Sequence, residues 1–143
     1  MFNVLTTINW FSVLAAFVAY FLLGALWYLV LFPKPYRASL GKENEPDTGQ
    51  RQEPLFLIGP AVCCLLITST CAVLLYALRI DSYPNAIGFA LLVGGGYLFT
   101  NTVNIAINPN IPRPFFYGFI TGSYHLVGMV LVNLILVGMK SAA

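Results

Sequence analysis

The charged residues of this chain leave four long gaps. No Asp, Glu, Lys or Arg occurs in 1–33, 54–78, 82–112 or 114–139. A bilayer's hydrocarbon core, about 30 Å thick, takes about 20 residues of helix, and each gap is long enough to cross it. A soluble helix keeps charged or polar side chains on the side that faces water. Four successive uncharged stretches therefore specify an all-α integral membrane protein, a four-transmembrane-helix bundle.

Little chain is left for anything else. Of 143 residues, 59% are hydrophobic and 8% charged, so residues 1–143 read as one membrane domain without a soluble catalytic module. The longest polar stretch, Pro33 to Glu53, is too short and too polar to bury a core. The net charge of +2 sits in loops and forms no basic stripe, so nucleic acid is not an expected partner. Met1 to Trp10 has no Lys or Arg and no small-residue cleavage site, and the first span is expected to stay in the mature protein. Cys63, Cys64 and Cys71 form no C-x-x-C pair and have no His beside them. They read as helix-packing residues, with no metal and no cofactor expected.

The expected helices cover about 8–32, 55–79, 86–107 and 115–139, with a polar loop over 33–53. Pro33 and Pro35 stop the first helix, and Pro54 suits the first turn of the second. Pro60 should kink that second helix. Arg79 to Pro84 is a tight polar turn, and three prolines between Asn108 and Pro114 separate the last two helices. Gly41 to Gln52, polar and without an apolar period, should be mobile. Lys34, Arg37, Lys42, Arg51 and Arg113 lie in the first and third loops, against Arg79 and Lys140 on the side of the termini. The positive-inside rule then places loops 33–53 and 108–114 in the cytoplasm and both termini outside, most simply in a plasma (inner) membrane.

At 100° per residue the polar and small side chains of each helix gather on one side. The first helix aligns Asn9, Ser12, Ala16, Tyr20, Gly24 and Trp27, and the second aligns Cys64, Thr68 and Cys71. The third aligns Gly94, Tyr97, Asn101, Asn104 and Asn108, and the fourth Gly118, Gly122, His125, Met129 and Asn133. These stripes predict a small, polar bundle interior. Gly118 and Gly122 have the spacing of a close-packing pair. His125, the one histidine, sits near the midplane on the glycine face. An intramembrane ionisable group is a functional candidate, although a neutral imidazole held by Asn or Tyr is also a sound structural element. The expected interior polar site is His125, Asn101, Asn104, Tyr97, Tyr20, Trp27 and Tyr28, with Asn101, Tyr97 or Tyr20 as partners of the imidazole. Tyr124 points about 100° away from His125 and reads as ordinary packing. No carboxylate lies in any span, so no Ser-His-Asp set and no di-metal bundle site can be assembled there.

Certain segments carry a resemblance. They are Asn9-Trp10, Gly24-Ala-Leu-Trp27-Tyr28, Leu31-Phe32-Pro33-Lys34, Thr100-Asn-Thr-Val-Asn104 and Gly122-Ser-Tyr124-His125-Leu126-Val127. Together, from about Ile8 to Val137, they resemble the small four-helix membrane proteins called domain of unknown function 1761. The resemblance implies a fold and a membrane location, and no activity. Two functional readings follow from the residues. One is a non-enzymatic multipass protein that binds a small molecule or lipid, or serves assembly, with the bilayer and a second copy as partners. The other is a small transporter or channel subunit, acting as a dimer, with a path lined by Asn101, Asn104 and His125. The Lys and Arg distribution gives the first test: a reporter fused after Ala143 should read as external, and a cytoplasmic reading would overturn the orientation.

Overall fold

The computed structural model describes residues 2–45 and 53–140, and every regular element among them is helical. Four helices are long and apolar enough to cross a membrane: Trp10–Leu31, Leu55–Ala77, Tyr83–Ala106 and Pro114–Lys140. The first consists of α1 (Trp10–Leu26) and a wide π-helical turn, Trp27–Leu31. A short helix α2 (Pro33–Ser39) follows it, and α3 (Leu55–Ala77) is the second span. The third is built from α4 (Tyr83–Val93), a second wide turn over Gly94–Phe99, and α5 (Thr100–Ala106). The last, α6 (Pro114–Lys140), is continuous.

Helix α6 is the centre of the bundle. Half of its most apolar stretch is buried, against 17%, 22% and 17% for the other three spans, and all of them pack on it. Its glycines explain the position. Lipid tails supply no hydrophobic drive between helices, so association depends on close van der Waals fit. Gly118 receives Val103, Gly122 receives the Phe99 ring, and Gly128 receives the Tyr20 ring. Small residues answer from the other side too: Gly94 lies under Met129 and Leu126, and Gly24 under the Tyr124 hydroxyl.

Polar clamps fasten both ends. At the terminal side the Asn9 carboxamide caps α1 by accepting from the Phe11 and Ser12 N–H groups, and its Nδ2 donates to the Met139 carbonyl. The Asn9 N–H donates to the Tyr76 hydroxyl at 3.1 Å, which joins α1, α3 and α6 through one residue. Lys140 pairs with Asp81, donates to the Ile80 carbonyl and lies 4.6 Å from the Tyr76 ring centre. Arg79, with φ at 55°, takes the left-handed position that ends α3. There the Ile80 N–H reaches the Leu75 carbonyl and the Arg79 N–H the Tyr76 carbonyl, which satisfies two of the last carbonyls of the helix.

The region between the first two spans departs from the sequence expectation of a loop over 33–53. Phe32 leaves helical geometry at φ −127°, and the chain starts again as α2. Pro33 and Pro35 sit within its first turn, where a missing N–H has no helical partner to lose, so these prolines begin a helix as well as ending one. Ser39 is fully buried and donates to the Tyr36 carbonyl at 2.6 Å. The Arg37 guanidinium donates to the Lys42 and Glu45 carbonyls, and Arg113 pairs with Glu43 at 2.5 Å. The Glu43 carboxyl lies below its usual range because of its own backbone N–H and then Arg113. Of the stretch expected to be mobile, Gly41 to Glu45 is exposed but tied by these contacts, and 46–52 lies outside the described residues. Helix α3 runs on through Pro60, which removes the N–H that would otherwise reach the Phe56 carbonyl.

The glycine contacts predict a sharp contrast. A Cβ at Gly128 would overlap the Tyr20 ring, with Cδ2 at 2.5 Å and Cε2 closer still, whereas one at Gly88 meets nothing within 4 Å. Gly128→Ala should cost about 1–3 kcal/mol by overpacking. Gly88→Ala should be neutral or stabilise by up to about 1 kcal/mol. Thermal melts of both variants in one detergent check the pair.

Candidate functional site

The centre of the bundle is an aromatic cluster between α1 and α6. Tyr20 is completely buried, and its hydroxyl lies 2.6 Å from His125 Nδ1. With the phenol donating, the neutral imidazole keeps its own proton on Nε2. Among the described residues Tyr20 is the hydrogen-bond partner of His125, one of the three that the sequence offers. The stripe on α1 explains why: Ser12, Ala16 and Tyr20 are buried in register, and the turn from Gly24 to Trp27 continues the same face.

Tyr124 is the residue that the sequence reading undervalued. It is 6% exposed and stacks on Tyr20 with ring centres 5.2 Å apart. Its ring also meets His125 at 4.8 Å, Tyr28 at 5.5 Å and Trp27 at 6.3 Å. The Tyr124 hydroxyl reaches Cys64 Sγ at 3.5 Å and donates to the Tyr20 carbonyl at 3.4 Å. Two neighbouring residues on α6 therefore both face α1. Their difference of 100° straddles the contact, with His125 on one flank and Tyr124 on the other. The signal for Tyr124 was available in the aromatic residues of the first span, since Tyr20, Trp27 and Tyr28 form a surface wide enough for two α6 side chains.

The site continues toward the loop side. Trp27 Nε1 donates to the Ile120 carbonyl at 3.1 Å. Tyr28 meets Tyr36 of α2 at 4.9 Å between ring centres, and Tyr36 meets Tyr117 at 5.7 Å. Burial pushes the Tyr36 hydroxyl well above the ordinary phenol range, followed by the charges that Tyr117 and Tyr28 would carry. An unbroken file of rings thus runs from the α2 end of the bundle to His125. Cys64, Thr68 and Cys71 of α3 are buried along its flank, as the second-helix stripe predicted, and Cys71 contacts Met129 Sδ at 3.8 Å.

Three members of the expected interior site are not in it. Asn101 and Asn104 are exposed, and Tyr97 is 72% exposed, all on the outer face of the third span. The cause is the wide turn at Gly94–Phe99, which takes up one residue more than an α-helical turn. A period of 3.6 carried across it arrives one residue early, which is about 100° of rotation. Late in the turn and beyond it, Ala106 is fully buried and Leu98 and Thr102 are partly buried, while Tyr97, Asn101 and Asn104 turn away. The path that the transporter reading required, Asn101 to Asn104 to His125, is not assembled within one chain.

Chemically, the cluster is a set of neutral donors and acceptors packed among rings. Among the described residues, no group of three His, Cys, Asp or Glu side chains is placed to hold a metal ion. Two open hollows lie elsewhere. One, about 600 Å³, is bounded by Asp81, Tyr83, Pro84, Val137 and Lys140 at the terminal end. The other, about 230 Å³, is an apolar groove between α3 and the third span, lined by Leu66, Thr70, Cys71, Val93 and Leu98 among others.

Residues 11–137 match the family described as protein of unknown function, DUF1761. The chain belongs to that family. No curated protein and no solved structure matches it. The DUF1761 match covers the aromatic cluster whole, from Tyr20 to Tyr124 and His125, and all four membrane-length helices nearly to their ends.

The Tyr20–His125 pair yields a graded prediction. His125→Ala leaves the Tyr20 hydroxyl unsatisfied and opens a gap beside Tyr124, at a cost of about 1–3 kcal/mol. Tyr20→Phe keeps the ring that packs on Gly128 and should cost less, near the ~0.6 kcal/mol average for a hydrogen bond between membrane helices. His125→Asn, which keeps a polar partner, should fall between them. Unfolding of the three variants in a single detergent gives the ranking, and a His125→Ala protein as stable as the parent would overturn it.

Proposed function

We propose that this chain is a non-enzymatic, multipass membrane protein that works by binding and assembly through its membrane-facing surface. The observation that supports this most is the packing of the centre. Tyr20 and Tyr124 pack on the partly buried His125, Trp27 and Tyr28 pack on Tyr124 in turn, and the 2.6 Å bond holds the imidazole against α1. An interior occupied by its own rings is suited to holding helices together. Tyr97, Asn101 and Asn104 lie on the outer face of the third span, where a partner can meet them.

The alternative, a transporter or channel subunit, draws little support from this arrangement. Its lining residues Asn101 and Asn104 face away from the helix contact that holds His125. A catalytic reading has still less to use, since the cluster offers neutral groups and every carboxylate lies outside the four uncharged stretches.

Reconstitution separates these readings. Sealed liposomes carrying the protein should release an entrapped fluorescent anion, and dissipate a proton gradient, no faster than empty ones. In parallel, a cysteine placed at position 125, in a variant lacking the three native cysteines, should resist a water-soluble maleimide from both sides. Flux that disappears in a folded His125→Asn variant would replace the assembly reading with transport.

A further inference from the structure

We propose that the outer face of the third span pairs with the same face of a second copy of this chain, across a two-fold axis, through Tyr97, Asn101 and Asn104. The inference rests on the assembly reading and assigns its surface and its partner.

The argument starts from depth. The third span has 24 residues, about 36 Å of helix, against a hydrocarbon core of about 30 Å. Asn101 lies about 7 Å and Tyr97 about 14 Å from the Ala106 end, so both fall inside that core, while Asn104 lies near its edge. Side chains on a helix lean toward its N-terminus, which here is the distant Tyr83 end. Asn101 and Tyr97 thus lean toward the midplane and away from the nearer headgroups. Their polar atoms face hydrocarbon in the isolated chain.

The neighbouring residues deal with the same problem differently. Thr100 and Thr102 donate to the Gly95 and Leu98 carbonyls. No described residue does this for the side chains of Tyr97, Asn101 or Asn104. A polar group left unpaired in lipid is costly, and intramembrane polar residues find partners on other helices.

Electrostatic complementarity decides the partner. The face carries no formal charge that would select an acidic or basic partner. A carboxamide presents a positive NH₂ end and a negative oxygen end, so it is complementary to another carboxamide turned by a half rotation. A two-fold interface brings like residues together in that relation. Two amides at i and i+3, flanked by a phenol that both donates and accepts, form a surface that recognises itself. Gly96 is exposed on this segment, and a Cβ there would meet nothing within 4 Å, which leaves room for a second backbone.

The full chain, labelled in separate donor and acceptor pools and mixed in phosphatidylcholine liposomes, provides the test. Energy transfer should saturate with protein density, and Asn101→Leu with Asn104→Leu should weaken association roughly tenfold or more. Both changes place leucine toward lipid and keep the fold, which the unfolding midpoint verifies. Ile58→Ala, on the exposed side of α3 away from the third-span groove, should leave association unchanged. In a Cys63→Ala background, Asn104→Cys should cross-link to a dimer on oxidation and Ile58→Cys should not. Undiminished association of the double variant, or cross-linking only through α3, overturns this interface and leaves the assembly reading standing. A chain that stays monomeric at every density ends the homodimer, and if no other protein co-purifies it ends the assembly reading as well.

Discussion

The approach of α1 to α6 is the contact on which the rest of the bundle depends. Where Gly128 lets the Tyr20 ring lie against the backbone of α6, the Tyr20 hydroxyl comes within bonding distance of His125 one turn away. Neither half works alone. Without the glycine the ring would stand off and the hydrogen bond would be out of reach. Without the imidazole a phenol would be buried in a membrane interior with nothing to bond. In a solvent of lipid tails, where greasy surfaces gain little by meeting, such a joint of shape and polarity sets which helices touch. Tyr124, Trp27 and Cys64 then fill the remaining space around it.

The ends of the bundle follow a different logic, because water and headgroups are available there. Asn9 binds three helices with its side chain and its backbone N–H, and Lys140 reaches a carboxylate, a carbonyl and an aromatic face together. Such contacts fix where each helix begins and stops, while the glycine contacts fix how they cross. On the opposite side, α2 lays Tyr36 between Tyr28 and Tyr117 and carries the aromatic file out of the bundle.

Much of this was legible because an uninterrupted α-helix keeps its phase. The buried rows of α1 and α3 are those that a 100° step assigns, and the glycines of α6 meet the bulky partners that their spacing called for. The errors have three physical sources. Asn101, Asn104 and Tyr97 were placed inside because periodicity assumes a constant turn, and nothing in the pattern marks where a turn widens except the run Gly94-Gly95-Gly96, whose backbone tolerates it. Helix α2 was missed because proline reads as a breaker, although in a first turn it is harmless. Tyr124 was underrated for a third reason: a helical wheel gives direction but not the width of the facing surface.

The wide turn at Gly94–Phe99 has a consequence for the numbering of the fold itself. It stores one surplus residue without disturbing what lies on either side, so the third span is written in two frames that share an axis but not a count. A shorter version of this chain, lacking one of the three glycines, would close that turn to an ordinary one and still lay the side chains equivalent to Phe99 and Val103 on α6. Outward and inward residues would keep their sides. Two sequences of unequal length can then encode one arrangement of helices, and aligning them correctly requires a one-residue gap in the middle of a membrane span, where gaps are ordinarily forbidden.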